Sequence, residues 1–440
     1  MQLGSDTKPK RMHELARQIF NETLAEISIP RVFNRKVEYS RGILRVEQDL
    51  YDLNSFERVL VIAIGKAAHT MLESLLAQTG PTLQGIVCSV PSSSQQPGFR
   101  YFAGGHPLPT EESVRGARAI LKALSGLNEH TLVAYLISGG ASAMVEVPIE
   151  EDISLDDLVE TYRVLVHSGA TISEINAIRK HLSAVKGGRL AQAAFPARQL
   201  SIMVSDVPEH SLDTLASGPT MPDSSTDTDC YLIAETHGLS GTFPESVRRI
   251  FAERALKETP KADDSAFANS RWWPILSSTS AAQAAADSLS KHGFAVEIDN
   301  TPDDWPFERA AGYLLNHLHE LRKSKSRVAV ISAGEITVSV PDMGGTGGRN
   351  QHFALYCAQQ IAGEDIVVVS AGTDGIDGNS PAAGALADGT TIARAREAGF
   401  DVKRTLESFD SYSLFGRLGD AIVTGPTGNN VRDVRILVAY

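Results

Sequence analysis

The segment Ser138-Gly139-Gly140-Ala141-Ser142 sets two adjacent glycines between hydroxyls. Glycine lets a ligand come close to the backbone and serine adds hydroxyl donors. That combination suits an oxyanion or a phosphate, and equally a plain tight turn. Gly65-Lys66 places a cation directly after an aliphatic run, at the start of a helical pattern. Unpaired N–H groups at a helix start attract anions, and the lysine adds charge. Ser205-Asp206-Val207-Pro208 carries a carboxylate that can hold Mg²⁺, accept a proton from a substrate hydroxyl, or cap a loop. In the last third, Gly344-Gly345-Thr346-Gly347-Gly348 runs into Arg349-Asn350-Gln351. Glycines at that density are expected to cradle phosphate through backbone N–H groups, with the Arg349 fork on phosphate or carboxylate. No Gly-Lys-Ser/Thr closes the loop, so it is not a Walker A loop, nor is it GxGxxG. Asp374 and Asp377, in the glycine-rich stretch 372–378, read as Mg²⁺ ligands or as turn caps.

Other groups carry less. His69, His106, His167, His181 and His210 lack HExxH or HxxxH spacing and read as caps or surface residues. Gly105-His106-Pro107 is a loop with no derivable role. Ser142 does not sit in a GxSxG elbow. Trp272-Trp273 flanks a strand-like run and reads as core.

The elements that must position these groups alternate strand and helix. Arg58–Ile64 is a continuous aliphatic run, the pattern of a strand buried on both faces. Gly65 breaks it and 66–77 reads as a helix, the opening of a βαβ unit. Strands follow at 84–89, 131–137 and 200–204, with helices at 111–124, 155–166, 190–194 and 245–256. An amphipathic helix precedes them at 12–27. Residues 257–271 are apolar-poor and mark a boundary. Beyond it, 272–277 and 295–298 read as strands and 281–291 as a helix. The last third offers strands at 327–331, 337–340, 366–370, 422–424 and 434–438, and a helix at 350–361. In open α/β sheets ligands bind beyond the carboxyl ends of strands, which is where the candidate residues stand.

Composition narrows the class. The formal net charge is −12, which argues against a general nucleic-acid binder. Three cysteines, Cys88, Cys230 and Cys357, have no metal-ligand spacing and fit a reducing compartment. The amino terminus lacks the basic start and apolar run of a secretory signal, and no apolar stretch reaches the ~20 residues needed to span a bilayer. A soluble, cytoplasmic protein without a membrane partner is expected. Self-association into a homo-oligomer is compatible with this composition.

Taken in order, Ile64-Gly65-Lys66-Ala67, Gly105-His106-Pro107, Ser138-Gly139-Gly140, Arg179-Lys180-His181-Leu182-Ser183 with Lys186-Gly187-Gly188, Ser205-Asp206-Val207 and Ala216-Ser217-Gly218-Pro219-Thr220 resemble one family. Gly347-Gly348-Arg349-Asn350-Gln351, the 372–378 stretch and Thr424-Gly425-Pro426-Thr427-Gly428 complete the set. The resemblance is to the glycerate 2-kinase family with a MOFRL C-terminal domain, some of whose members bear the name hydroxypyruvate reductase. It implies two α/β domains, the larger N-terminal one a Rossmann-like three-layer sandwich, with the active-site cleft between them. The expected bounds are 1–260, open to extension over 261–310, and 311–440.

The resemblance also implies ATP, Mg²⁺ and phosphorylation of D-glycerate at its 2-hydroxyl. Carried over by residue, Lys66, Asp206, Arg349 and Asp374 are the catalytic candidates. Ser138, Gly139, Gly140, Ser142, Arg179, Gly347, Gly348 and Asn350 are candidates for substrate or phosphate, and Asp374 and Asp377 for metal. Lys66 and Arg349 take the phosphoryl and carboxylate charges, with Arg179 or Arg349 on the carboxylate. Asp206 orients or deprotonates the acceptor hydroxyl. Three positions depart from the family pattern: Ala141 replaces a third glycine, strained if that glycine has φ > 0, and His210 and His352 replace acidic residues. Two rival functions follow, an NAD(P)H-dependent hydroxypyruvate reductase and a non-catalytic metabolite-binding homologue. Against the reductase, the first βα turn has no dinucleotide fingerprint.

Overall fold

The aliphatic run Arg58–Ile64 forms a strand, β1, with Leu60 to Ile64 buried. It is one of six in a sheet with β2 (Gln84–Ser89), β3 (Phe99–Ala103), β4 (Thr131–Ser138), β5 (Arg198–Val204) and β6 (Ser270–Leu276). The spatial order is β3-β2-β1-β4-β5-β6. Pairing is parallel from β3 through β5. Because successive side chains alternate between faces, Leu60, Ile62 and Ile64 pack with Val114, Ala117, Ile120 and Leu124 of the helix Glu111–Leu124. The helix Ala68–Thr79 also packs on β1, β2 and β4. β4 is buried along all eight residues, as a strand covered on both faces must be. Strand order reverses between β1 and β4. This is the topological switch point, where doubly wound sheets open a crevice.

The computed structural model describes residues 8–341 and 344–440. They divide into two compact units, one of residues 32–275 and one that joins 276–440 to the described residues of the first 31. These bounds differ from 1–260 and 311–440. The helix Lys8–Glu26 buries Ala16, Ile19 and Phe20 and packs on the helix Ser278–Lys291 of the second unit, so the chain's start belongs with its end. The stretch 261–310 is shared: β6 extends the first sheet, whereas β7 (Ala295–Ile298) joins the second.

The second sheet has the order β7-β8-β12-β9-β10-β11, with β8 (Val328–Gly334), β9 (Ile366–Gly372), β10 (Gly384–Asp388), β11 (Ala421–Ile422) and β12 (Asp433–Ala439). β12 is wholly buried and runs antiparallel to both β8 and β9. The strand expected at 337–340 does not form. Both edges of β8 are taken, by β7 and β12, so no ladder is open to a returning hairpin. Thr337 makes one isolated bridge to Pro306 instead. The helix Arg349–Gln360 packs Phe353 and Cys357 against β8, β9 and β12. All three cysteines are free and buried, and burial pushes the Cys88 thiol up to about 12. Among the described residues no helix is long and apolar enough to cross a membrane.

Candidate active site

The turns after β1 and β4 are laced together at the switch point. Lys66 N–H donates to Gly139 O at 2.9 Å, and Ala67 N–H donates to Ser138 Oγ at 3.0 Å. Gly65 has φ +113°, and a Cβ there would lie 2.4 Å from both Ser138 O and Ser138 Oγ. Only glycine allows the two turns to touch. The helix begins at Ala68, so Lys66 sits in the turn before it, exposed and without an ion pair among the described residues.

The two glycines of the β4 turn each make room for a functional group. A Cβ on Gly139 would stand 1.9 Å from Asp206 Oδ2, so the Asp206 carboxylate rests against this backbone. A Cβ on Gly140 would stand 3.0 Å from Lys66 Cγ and 3.2 Å from His106 Cδ2. Lys66, His106 and Asp206 therefore surround the Gly139-Gly140 dipeptide. The N–H groups of Gly139, Gly140, Ala141 and Ser142 have no acceptor among the described residues. Burial, and after it the Lys66 charge, hold His106 below the usual histidine range, so it is neutral at pH 7. The sequence offers no signal for His106 beyond its loop, since Lys66 lies 40 positions before it and Gly140 lies 34 after it. Ala141 is not strained: it opens the short helix Ala141–Met144, and the left-handed residue is Gly140, with φ +81°.

Beside this turn lies a cavity of about 190 Å³, lined by His106, Pro107, Gly140, Ser142, Tyr162 and Arg179 among others. Arg179 stands in the last turn of the helix Ile172–His181, and its guanidinium carbon is 4.7 Å from the centre of the Tyr162 ring. It has no carboxylate partner among the described residues, and its buried Nε has no acceptor. Ser142 Oγ is 2.8 Å from Ser217 Oγ. Ser217 is brought there by three successive residues in the left-handed region, Ala216, Ser217 and Gly218, whose carbonyls at 217 and 218 accept from Gly187 and Gly188. Non-glycine residues held in this way mark over-determined positions. Tyr162 escapes sequence reasoning because a tyrosine on a helix's apolar stripe reads as core.

The second unit corrects several expectations. Arg349 is not an open fork. Its Nε donates to Asp433 Oδ2 at 2.6 Å, and its Nη2 reaches Asp433 Oδ1 at 3.3 Å and Glu335 Oε1 at 2.8 Å. Burial alone would lower its pKa, but the Asp433 and Glu335 charges outweigh that and hold it above the usual arginine range. The glycine loop's N–H groups up to Gly347 are taken within the protein and not offered to a ligand as expected. Gly345 donates to Ser408 O, Thr346 to Asp410 Oδ1 and Gly347 to Asn379 Oδ1. A Cβ on Gly348 would lie 2.2 Å from Asp377 Oδ1. Gly347 and Gly348 thus serve close packing of the loop.

Asp377 is buried and caps the helix Arg349–Gln360. It accepts from the backbone N–H of Asn350 and Gln351 at 3.1 and 2.9 Å and from both side-chain amides. Burial lifts its carboxyl to about 6, against those amides, which pull it down. With both oxygens occupied, Asp377 is a helix cap and not a metal ligand. Asn350 is fully engaged too, passing Ser370 Oγ–H to its own Oδ1 at 2.6 Å. Asp374 is half-buried, accepts from Ile376 N–H at 3.0 Å, and lies near Asp433 across Gly372. Among the described residues no cluster of three or more His, Cys, Asp or Glu could hold a metal ion.

Residues 15–252 match the profile of a domain of unknown function, DUF4147, and residues 328–433 match the MOFRL family. The D-glycerate 2-kinase of Thermotoga maritima is 36% identical over 94% of this chain and 98% of its own. The chain belongs to the glycerate 2-kinase family. A crystal structure titled glycerate kinase from Thermotoga maritima superposes with a TM-score of 0.85 at 34% identity, covering 98% of this chain and all of that one. The glycerate 2-kinase of Pyrococcus horikoshii is 36% identical over 87% of each chain. Two relatives in Agrobacterium vitis carry a hydroxypyruvate reductase name, at 35% and 34% identity. The two histidines expected to depart from the family pattern have different settings. His210 is exposed. His352 is buried between Phe307 and Phe409, with ring centroids 4.6 and 4.5 Å away, and burial lowers it to about 4.

Proposed function

We propose that this chain transfers the γ-phosphoryl group of ATP to the 2-hydroxyl of D-glycerate or a closely related small hydroxy acid, giving the 2-phospho acid and ADP. The observation that carries the reading is Arg179, a cation with no carboxylate partner among the described residues, lining a cavity beside the Gly139-Gly140 turn. Sites for drug-sized ligands occupy roughly 300–1,000 Å³. At about 190 Å³ this cavity suits a three-carbon acid and not a nucleotide. Of the two arginines considered for the carboxylate, Arg179 is favoured, because Asp433 and Glu335 already occupy Arg349.

In this scheme the acid's carboxylate lies on Arg179 and its hydroxyl faces Asp206. The hydroxyl oxygen forms a bond to the γ-phosphorus as the bond to the ADP oxygen breaks, and the hydroxyl proton passes to Asp206. Lys66 and the N–H groups of residues 139–142, which have no acceptor among the described residues, meet the phosphoryl charge, in a reaction that needs positioning and charge neutralisation above all. Asp374 is the carboxylate proposed for Mg²⁺. A single protein carboxylate fits an ion that arrives on nucleotide phosphates, since Mg²⁺ keeps several waters and usually binds one or two carboxylates. When bound, that ion would neutralise phosphate charge.

The test is release of ADP by purified protein with ATP, Mg²⁺ and a panel of small hydroxy acids. Turnover with D-glycerate and formation of the 2-phosphate are expected. Oxidation of NADH by hydroxypyruvate, with no ADP released on any acid, would instead establish the reductase.

A further inference from the structure

Behind Arg179 lies a wholly buried polar network that the chemistry above does not use. The Glu146 carboxylate is fully buried and ion-pairs with Lys186, of which 1% is exposed. Oε2 also accepts from Tyr162 Oη at 2.5 Å, and Oε1 accepts from Ser183 Oγ at 2.5 Å and Val147 N–H at 3.0 Å. Burial, and after it the Glu146 charge, keep the Tyr162 hydroxyl protonated, so it remains a donor. The same ring also carries Arg179, whose guanidinium lies over it. Glu146 stands two residues beyond the short helix that follows Gly140, whereas Ser183 and Lys186 stand two and five residues beyond the helix that carries Arg179 in its last turn. One carboxylate therefore ties the glycine turn to the helix of the arginine.

Stability is a poor reason for this arrangement. Apolar residues of similar volume usually replace a buried ion pair without loss. Lys186 is itself disfavoured as a cation by burial, and by the Arg179 charge nearby. A network of this kind fixes geometry instead: the Val147, Ser183 and Lys186 contacts hold the Glu146 carboxylate, which holds the Tyr162 ring on which the guanidinium rests, and among the described residues the buried Nε of Arg179 has no acceptor.

We infer that Tyr162, held by Glu146 and Lys186, is a positioning residue that sets the guanidinium of Arg179 at the acid's carboxylate and so controls affinity for the acid. The inference rests on Arg179 holding that carboxylate, as proposed above. Tyr162→Phe keeps the ring and removes only the anchoring hydroxyl. It is expected to raise KM for D-glycerate about 5- to 20-fold, with KM for ATP and kcat changed less than about threefold. Arg179→Ala should raise the same KM about 30-fold or more, and adding Tyr162→Phe to it should have less than about a twofold further effect, because the hydroxyl acts through the arginine. A second measurement needs no substrate. Modification of Arg179 by phenylglyoxal, followed by peptide mass mapping, should be at least about fivefold faster in Tyr162→Phe than in the wild type. Multiplicative effects of the two substitutions, or an unchanged modification rate, overturn the inference. A wild type that turns over no hydroxy acid overturns the proposed function instead, and the phenylglyoxal rates then decide the positioning role alone.

Discussion

Arg349 and Asp433 form a two-point pair, Nε to Oδ2 at 2.6 Å and Nη2 to Oδ1 at 3.3 Å, with Asp433 at the buried start of the central strand β12. The arginine is thereby aimed by the sheet and not by the glycine loop that precedes it. Asp433→Asn keeps the shape but takes away the charge. Breaking a buried pair from one side costs about 3–5 kcal/mol, less here because a third of the Arg349 side chain is exposed and Glu335 remains. A fall of several degrees in the thermal midpoint is expected, since about 1 kcal/mol moves a unit of this size by 2–4 °C. Arg349→Ala combined with Asp433→Asn should be more stable than Asp433→Asn with Arg349 intact if the pairing is the cause. Additive losses would show it is not.

Lys66 tests the opposite case, a charge with no structural duty. It is exposed and forms no ion pair among the described residues. Lys66→Ala should move the thermal midpoint by no more than about 1 °C, as surface substitutions usually do. Turnover should nevertheless fall by about 100-fold or more, the scale for removing a group that meets transition-state charge. A variant that keeps most of its kcat would remove Lys66 from the mechanism.

How far the site is legible in the sequence follows from what each residue's partners are. Gly65, Lys66, Gly139, Gly140 and Asp206 stand at the ends of aliphatic strands, and strand ends can be read from local pattern. The strand order that brings them together follows from the alternation of strand and helix. Arg349 reads as open because its partners, Glu335 and Asp433, are 14 and 84 residues away, one just after β8 and the other the first residue of β12. The glycine loop misleads for a related reason. Gly348 is there because Asp377 needs its space, and that demand comes from a helix cap 29 residues downstream. In the fold, Gly384–Asp388 is not legible as a strand, because its two alanines become useful only against the helix Arg349–Gln360. The helix Lys8–Glu26 is legible as a helix, but its docking onto the far end of the chain is not.

Gly139 should tolerate no side chain. Its Cβ would stand 1.9 Å from Asp206 Oδ2, so Gly139→Ala must displace that carboxylate. A shift of about 1 Å in a catalytic group can cost 10²-fold in rate. The expectation is a loss of that order in kcat with the fold retained. Gly241→Ala is the matched control, because nothing lies within 4 Å of its Cβ position. If both variants turn over like the wild type, Asp206 is not the group that handles the acceptor hydroxyl.

His352 gives the protein a pH dependence that a family member with glutamate at this position would not share. Burial between Phe307 and Phe409 holds its folded pKa at about 4, against 6.5 for a free histidine. Above pH 6.5 the ring is neutral whether the chain is folded or not, and the site adds no slope. Below 6.5 the unfolded chain binds a proton that the folded chain refuses until pH falls to about 4. Stability is therefore lost across that window, by on the order of 3 kcal/mol from this residue. His352→Phe keeps a flat ring in the aromatic stack and abolishes the titration. Urea unfolding at pH 7 and pH 4.5 should show a smaller drop in stability for this variant than for the wild type. An equal drop in both proteins would mean that His352 accepts a proton in the folded state as readily as in the unfolded one.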